Sequence, residues 1–279
     1  MIDYLAIGHV TEDLWPEGTT PGGTVTYSSR AARALVEHVA VLTAAAPSTD
    51  IQAAFPGIAS TCLDAPRTTQ FRNIYSRGGR VQVVTPCPIL LKPAQLTDDL
   101  RRSRIVHLGP VCNEVSPEFV RSLPPGTFIG ITPQGWMRRW DTQGHVTSRA
   151  SYWTEAPLVL KHASAVVTSI DDVAGDWSTA HHWAAQTRVL IVTQGPLGCT
   201  AFSEGHSMHI PAPAVPEVDP TGAGDIFATV LFIALQRGDP LRDACALANC
   251  IAAQSVTRLH LSGIPSQADV ALCRDVRLK

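Results

Sequence analysis

The 279-residue chain carries little charge and concentrates none of it. Only 16 % of its residues are charged, 22 Lys and Arg stand against 24 Asp and Glu, and the net charge is -2. With no basic run or stripe to meet a phosphate backbone or an anionic surface, neither nucleic acid nor membrane is expected as a partner. Long hydrophobic runs are missing as well: the longest, Ile226 to Leu235, is ten residues, whereas roughly 20 are needed to span a bilayer. The opening MIDYLAIGHV has no basic segment and reads as a strand, not a signal peptide. The seven cysteines are an odd number without a CxxC pair, which predicts reduced, structural thiols in a cytoplasmic protein. His181 with His182, and His206 with His209, lack a cysteine or carboxylate at ligand spacing and read as surface or packing histidines. Repeats, low-complexity segments and convincing linkers are also missing, so residues 1–279 are expected to form a single domain.

What the chain has is apolar material in short pieces, 45 % of the whole. Runs rich in Val and Ile at 4–8, 39–45, 104–109, 127–132, 164–169 and 188–195, bounded by Gly, Pro or Ser, read as buried strands of a mostly parallel sheet. Between them lie predicted helices at roughly 24–37, 48–54, 117–122, 154–162, 171–187, 221–237, 240–257 and 266–273. This alternation predicts an α/β fold of βαβ units with helices on both sheet faces. One region breaks the rhythm. TTQFRNIYSRGGRVQVV (68–84) alternates at period two, with Phe71, Asn73 and Tyr75 on one face and a turn at Arg77-Gly78-Gly79-Arg80. That predicts a β-hairpin, either an edge extension or a flap over a site.

The stretch VDPTGAGDIFATVLFIALQRG (218–238) sets small residues before a carboxylate at the start of an apolar helix. The first turn of a helix has N–H groups without partners and a partial positive charge, and glycine lets a phosphate approach the main chain. Gly222, Ala223 and Gly224 are therefore candidates for an anion hole, with Asp225 placed to take a proton from a hydroxyl beside it. A glycine-rich turn capped by an aspartate is the alternative reading of the same residues.

DPTGAGD (219–225) resembles the C-terminal signature of the ribokinase-like, PfkB-type carbohydrate kinases, and further segments match in the same order. LAIGHVTEDL (5–14) is similar to the family's first strand and its substrate-binding aspartate, here Asp13. PGGTVTYSSRAARAL (21–35) is similar to the Gly-Gly stretch opening the first helix. LIVTQGPLGCTAF (190–202) and ALANCIAAQSV (246–256) resemble the segments beside the nucleotide, which points to Thr193, Gly195, Gly198 and Asn249. The resemblance implies a three-layer α/β/α sandwich with a mostly parallel central sheet and a small β lid. The hairpin at 68–84, joined by 12–20, would form that lid. It also implies a kinase that uses ATP and Mg2+ to phosphorylate a hydroxyl of a small sugar or polyol, as a monomer or homodimer. Asp225 would then be the base, Gly222, Ala223 and Gly224 the anion hole, and Asp13, Gly22, Gly23 and Asn73 the acceptor site. Asp219 and Thr221 match positions that hold a monovalent cation in many members, so K+ is implied beside the hole. A nucleoside kinase of the same fold, or a relative that binds without turnover, are the rival readings.

The chain departs from the family at three points. The N-x-x-E motif that organises Mg2+ through water is replaced by Ser169-Ile170-Asp171-Asp172, which leaves Asp172 as the acidic partner. Tyr27 replaces the asparagine beyond Gly-Gly, and the lid is short. The GHVTEDL…GGTVTY start with this lid is most similar to the inositol-kinase-like branch. In ITPQGWMRRW (131–140), Gln134 and Arg138 sit at the carboxyl end of a predicted strand, where α/β folds bind ligands, and are candidates for a polyol or phosphate; a surface loop over packed tryptophans is the alternative.

Overall fold

The computed structural model describes all residues except 17, 77, 78, 278 and 279, and the side chains of 73–76, 79, 80 and 275–277 also lie outside the description. The chain begins in β1 (Tyr4–Ile7), passes through β2 (Thr11–Trp15) and β3 (Gly18–Gly22), enters α1 (Thr24–Ala32) and returns as β4 (Val39–Ala45). Next come α2 (Ile51–Ala54), β5 (Ala59–Asp64), β6 (Thr69–Ser76), β7 (Gly79–Thr85), α3 (Asp98–Arg101), β8 (Ile105–Leu108), α4 (Phe119–Ser122) and β9 (Phe128–Ile131). A ribbon of β10 (Arg138–Trp140) and β11 (Val146–Ser148) leads to α5 (Ala156–His162), β12 (Ala165–Ser169), α6 (Trp177–Ala184) and β13 (Val189–Thr193). The last part holds β14 (Cys199–Ser203), β15 (His206–Ile210), α7 (Ala223–Gln236), α8 (Leu241–Ser255) and α9 (Gln267–Arg277).

Nine strands form the central sheet in the order β15-β14-β13-β12-β9-β8-β1-β4-β5. Pairing is parallel from β5 to β13 and antiparallel only at β14 and β15. Alternate residues of β1 face opposite cores, which is why its sequence is apolar throughout. Tyr4 and Ala6 join α1, α7 and α8 in one core; Leu5 and Ile7 join Phe119, Val159 and Ala180 of α4, α5 and α6 in the other. The result is the expected three-layer sandwich.

A second sheet, β3-β2-β6-β7, departs from the carboxyl ends of the central strands. The hairpin expected at 68–84 forms as β6 and β7, and the 11–22 segment adds to it through parallel pairing of β2 with β6, Asp13 opposite Phe71. Phe71 of this small sheet is buried with Val84, Val111 and Cys112.

Three local expectations are corrected. The helix expected over 171–187 begins only at Trp177. Ala174 and Gly175 take positive φ (53° and 77°), and Asp176 caps the helix by accepting from the Ser178 amide at 2.9 Å. The first helix ends at Ala32, with turns over the residues that follow. The cysteines are not all reduced. Cys250 of α8 and Cys273 of α9 form a disulfide with Cα atoms 5.8 Å apart, and the other five are free. A separation of 23 residues gives no sign of this pairing; the packing of α9 against α8 creates it. Among the described residues, no helix is long and apolar enough to cross a membrane.

Candidate active site

The stretch that opens α7 supplies the site's floor. Gly222 is the N-cap, with φ 79°, and the helix runs from Ala223 into a segment buried without interruption from Ile226 to Ala234. That anchoring holds the helix tip still. The Ala223 amide donates to the Pro220 carbonyl at 3.2 Å and Ile226 to that of Gly222 at 2.9 Å. Among the described residues no acceptor faces the amides of Gly222, Gly224 and Asp225. A Cβ added to Gly224 would meet nothing within 4 Å, so that face is open to a ligand. The free donors at the tip are therefore the amides at 222, 224 and 225, with Ala223 already engaged.

Asp225 stands on this tip, part-buried and packed about by protein. Loss of water pushes its carboxyl up to about 6. The Thr24 hydroxyl bonded to it and the Arg138 guanidinium pull in the other direction, and the Asp172 and Asp13 carboxylates reinforce the rise. Asp13, Thr24, Arg138 and Asp172, from four different elements and loops, thus act on one carboxylate. Beneath it runs a buried chain. The Thr229 hydroxyl donates to the Asp225 carbonyl at 2.8 Å, Tyr4 Oη lies 3.1 Å from Thr229 Oγ1 and 2.7 Å from His107 Nδ1, and His107 Nε2 lies 2.8 Å from Thr132 Oγ1. Burial lowers His107 to about 3, so this chain carries no charge at neutral pH.

Across the cleft, Asp13 lies on β2. The Thr11 hydroxyl donates to its Oδ1 at 3.0 Å, and its Oδ2 would come 2.2 Å from a Cβ at Gly22, so the glycine makes room for the carboxylate. Gly23 caps α1. Arg138 donates to the Val111 carbonyl at 2.9 Å and places its guanidinium 5.3 Å from the Phe71 ring centroid, which ties the small sheet to the site. Asn73 was also expected here, but its side chain lies outside the described residues.

Asp172 lies in the turn after β12. It accepts from the Ser169 amide at 3.0 Å and from Gln134 Nε2 at 3.3 Å. Gln134 therefore holds Asp172 through its amide nitrogen. Thr193 ends β13, and Gly195 and Gly198 shape the turn before β14 with φ of 56° and 94°. Asn249 is buried and its amide donates to the Ile210 and Pro211 carbonyls at 2.9 and 3.3 Å. That amide positions the segment after β15.

Both oxygens of Asp219 are engaged. Oδ1 accepts from the Thr221 amide at 2.9 Å, Oδ2 accepts from the His260 amide at 2.8 Å, and His260 Nδ1 stands 3.1 Å from Oδ2. Burial raises this carboxyl, but the Thr221 hydroxyl and these donors hold it below its usual range.

Sequence reasoning missed Thr24 and Glu114. Glu114 is buried and accepts from the amides of His9, Val111 and Cys112 at 3.0, 2.9 and 2.7 Å, clasping the loops that follow β1 and β8. In GPVCNEVSPEF nothing marks it as more than a loop residue. Among the described residues, His9, Cys112 and Glu114 are also the only His, Cys and acid side chains grouped closely enough to share an ion; the three amides already occupy the carboxylate.

An open, mostly parallel sheet with a small β sheet over its carboxyl edge defines a ribokinase-like fold. Solved structures agree: a pyrophosphate-dependent myo-inositol kinase superposes with a TM-score of 0.80 at 15 % identity, covering 98 % of this chain and 99 % of that one. The Arabidopsis thaliana ribokinase complexed with ribose and ATP gives 0.76 at 13 %, covering 98 % and 99 %. Residues 157–267 match the pfkB family carbohydrate kinase model. The cytidine kinase of Thermococcus kodakarensis is 26 % identical over 268 residues, 88 % of this chain and 93 % of that protein. The probable fructokinase-5 of Arabidopsis thaliana is 26 % identical over 200 residues, 65 % of this chain and 61 % of that protein. The chain thus has the ribokinase-like fold and, over residues 157–267, matches the pfkB family of carbohydrate kinases, a likeness that supports a phosphotransferase acting on an alcohol group.

Proposed function

We propose that this protein transfers the γ-phosphoryl group of ATP to a hydroxyl of a sugar or polyol held between Asp13 and Asp225. The observation that carries this reading is Asp225 itself: a carboxyl pushed up to about 6, at a helix tip with unpaired amides. A base with a pKa near the working pH accepts a proton readily as the acceptor oxygen bonds to phosphorus. Asp225 takes that proton, the phosphorus–oxygen bond to ADP breaks, and the free amides at 222, 224 and 225 hold the charge on the equatorial oxygens. Asp13 orients the acceptor through its hydroxyls. Asp172 and Ser169 are the residues that would hold Mg2+, through water. Asp172's partners leave it suited to that outer role, in which the ion would neutralise charge on the donor phosphates.

The test is a phosphoryl-transfer assay over sugars, inositols and nucleosides, with ATP and with pyrophosphate as donors, since a pyrophosphate-dependent kinase shares this fold. Turnover with a sugar or polyol that vanishes in Asp225→Asn, with donor binding retained, supports the reading. Turnover untouched by that substitution overturns it. The cytidine kinase relative favours a second reading, a nucleoside acceptor. Against it, Tyr27 and Phe71 are both buried and packed within the protein, not presented for stacking on a base. Phosphorylation of cytidine alone across the panel would establish the second reading.

A further inference from the structure

The family resemblance implies a monovalent cation held by Asp219 and Thr221 behind the anion hole, and the residues present do not fit one. A carboxylate offers about four lone-pair sites. Asp219 gives one on each oxygen to the Thr221 and His260 amides, the Thr221 hydroxyl is a further donor to it, and the His260 ring nitrogen stands close to Oδ2. The donors turn positive hydrogens toward the carboxylate whose lone pairs a cation would need. The ring contact is one of distance, 3.1 Å, not of hydrogen-bond direction, and it sets the imidazole against Oδ2.

His260 is held there at some cost. Its φ of 47° lies in the left-handed region that favours glycine. Its ring packs on Trp15 of β2, centroids 4.5 Å apart, and Trp15 is itself fixed by its indole N–H donating to Thr20 Oγ1 at 2.9 Å. The neighbouring main chain is pinned as well, since the amides of Val218 and Asp219 both donate to the Val256 carbonyl at 2.7 and 3.0 Å.

We propose that the His260 ring and amide take the place of the monovalent cation at Asp219, so that this kinase works without K+. His260 is then a positioning residue. Through Asp219 it fixes the Thr221 amide and the start of the helix tip, and through Trp15 it connects that tip to the small sheet. The inference rests on reading 222–225 as the anion hole.

Two measurements test it. The first is the melting temperature of the ligand-free protein in potassium chloride against choline chloride at matched ionic strength, which requires no turnover and so stands even if the kinase reading fails. The expected result is equal melting in wild type and a K+-dependent rise in His260→Gly, whose backbone the substitution relieves. The second is the rate in the same salts. Wild type should be indifferent, whereas His260→Gly should lose kcat about 10- to 100-fold, keep its acceptor KM and regain rate as K+ is added. His260→Asn keeps a donor and tolerates a left-handed backbone, so it should stay nearer wild type; it replaces the glycine variant if that one folds poorly. K+ stimulation or K+ stabilisation of the wild type overturns the proposal, as does a His260→Gly protein indifferent to K+ with wild-type rate.

Discussion

Tyr27 lies against Gly222: a Cβ built on the glycine would come 2.1 Å from Cδ1 of the ring and 2.4 Å from Cε1. The glycine that begins the helix tip is thus required twice, by its φ of 79° and by a buried aromatic neighbour. Tyr27 therefore props the start of α7 from behind.

The two glycines of the loop should respond differently to alanine. Gly222→Ala forces Tyr27 to move and strains the backbone, and is expected to lower stability by about 1–3 kcal/mol and activity with it. Gly224→Ala meets no atom within 4 Å. It should melt like wild type yet lose rate, because the methyl group projects into the space read as the phosphate site. Chemical denaturation alongside steady-state kinetics separates the two; equal stability losses in both variants would contradict the geometry.

Asp225 sets a pH dependence of opposite sense for rate and stability. As a base it must be ionised, so the rate should fall as pH drops through about 6. The folded protein holds this proton more tightly than the unfolded chain does, so the carboxyl favours folding below about pH 4 and that contribution is lost as pH rises through about 6. Asp225→Asn should accordingly stabilise the protein above pH 7, by on the order of 1–3 kcal/mol, and not at pH 4. Thermal melts of both proteins across that range check the sign.

Thr24 and Arg138 both hold that value down. Thr24→Val removes a hydroxyl while keeping the volume, and Arg138→Met removes the charge while keeping much of the length. Each should move the acid limb of the pH–rate profile to higher pH, and Thr24→Val should do so with little change in donor binding. A profile that stays in place would mean that burial alone sets the carboxyl.

The central sheet was legible because each of its inner strands is buried on both faces and therefore apolar at every position, as in VAVLTAA of β4. The helix tip stood out because DPTGAGD matches a family signature over seven residues, whereas its spacing alone also fits a capped glycine turn. β5 was not legible: its residues 60–63 are only part-buried and ASTCLD alternates weakly. The pairing of β2 with β6 joins segments about sixty residues apart and leaves no local pattern, so only the family resemblance, which joined 12–20 to the lid, pointed to it. Among site residues, Asp13 and Asp225 carried a motif, whereas Thr24 and Glu114 act through hydrogen bonds that only the fold assembles. Asn249 shows the converse, a polar residue at a plausible position whose amide is committed inside the protein.

The disulfide between α8 and α9 makes a prediction independent of the chemistry. α9 packs on α8, and Val270 and Cys273 are its described residues buried in the core. Closing a loop of 23 residues restricts the unfolded chain and stabilises by about 3 kcal/mol in the chain-entropy treatment. Cys273→Ser should therefore melt lower than wild type under non-reducing conditions and match it once both are reduced. Because α8 also carries Asn249, which holds the Ile210 and Pro211 carbonyls, loosening α9 should reach the segment after β15 before it reaches the helix tip. Peptide mapping without reductant should recover Cys250 joined to Cys273, and hydrogen exchange should show the loss of protection beginning in α9. Protection lost first at 222–225 would mean that the two helices are coupled to the site more directly than their packing indicates.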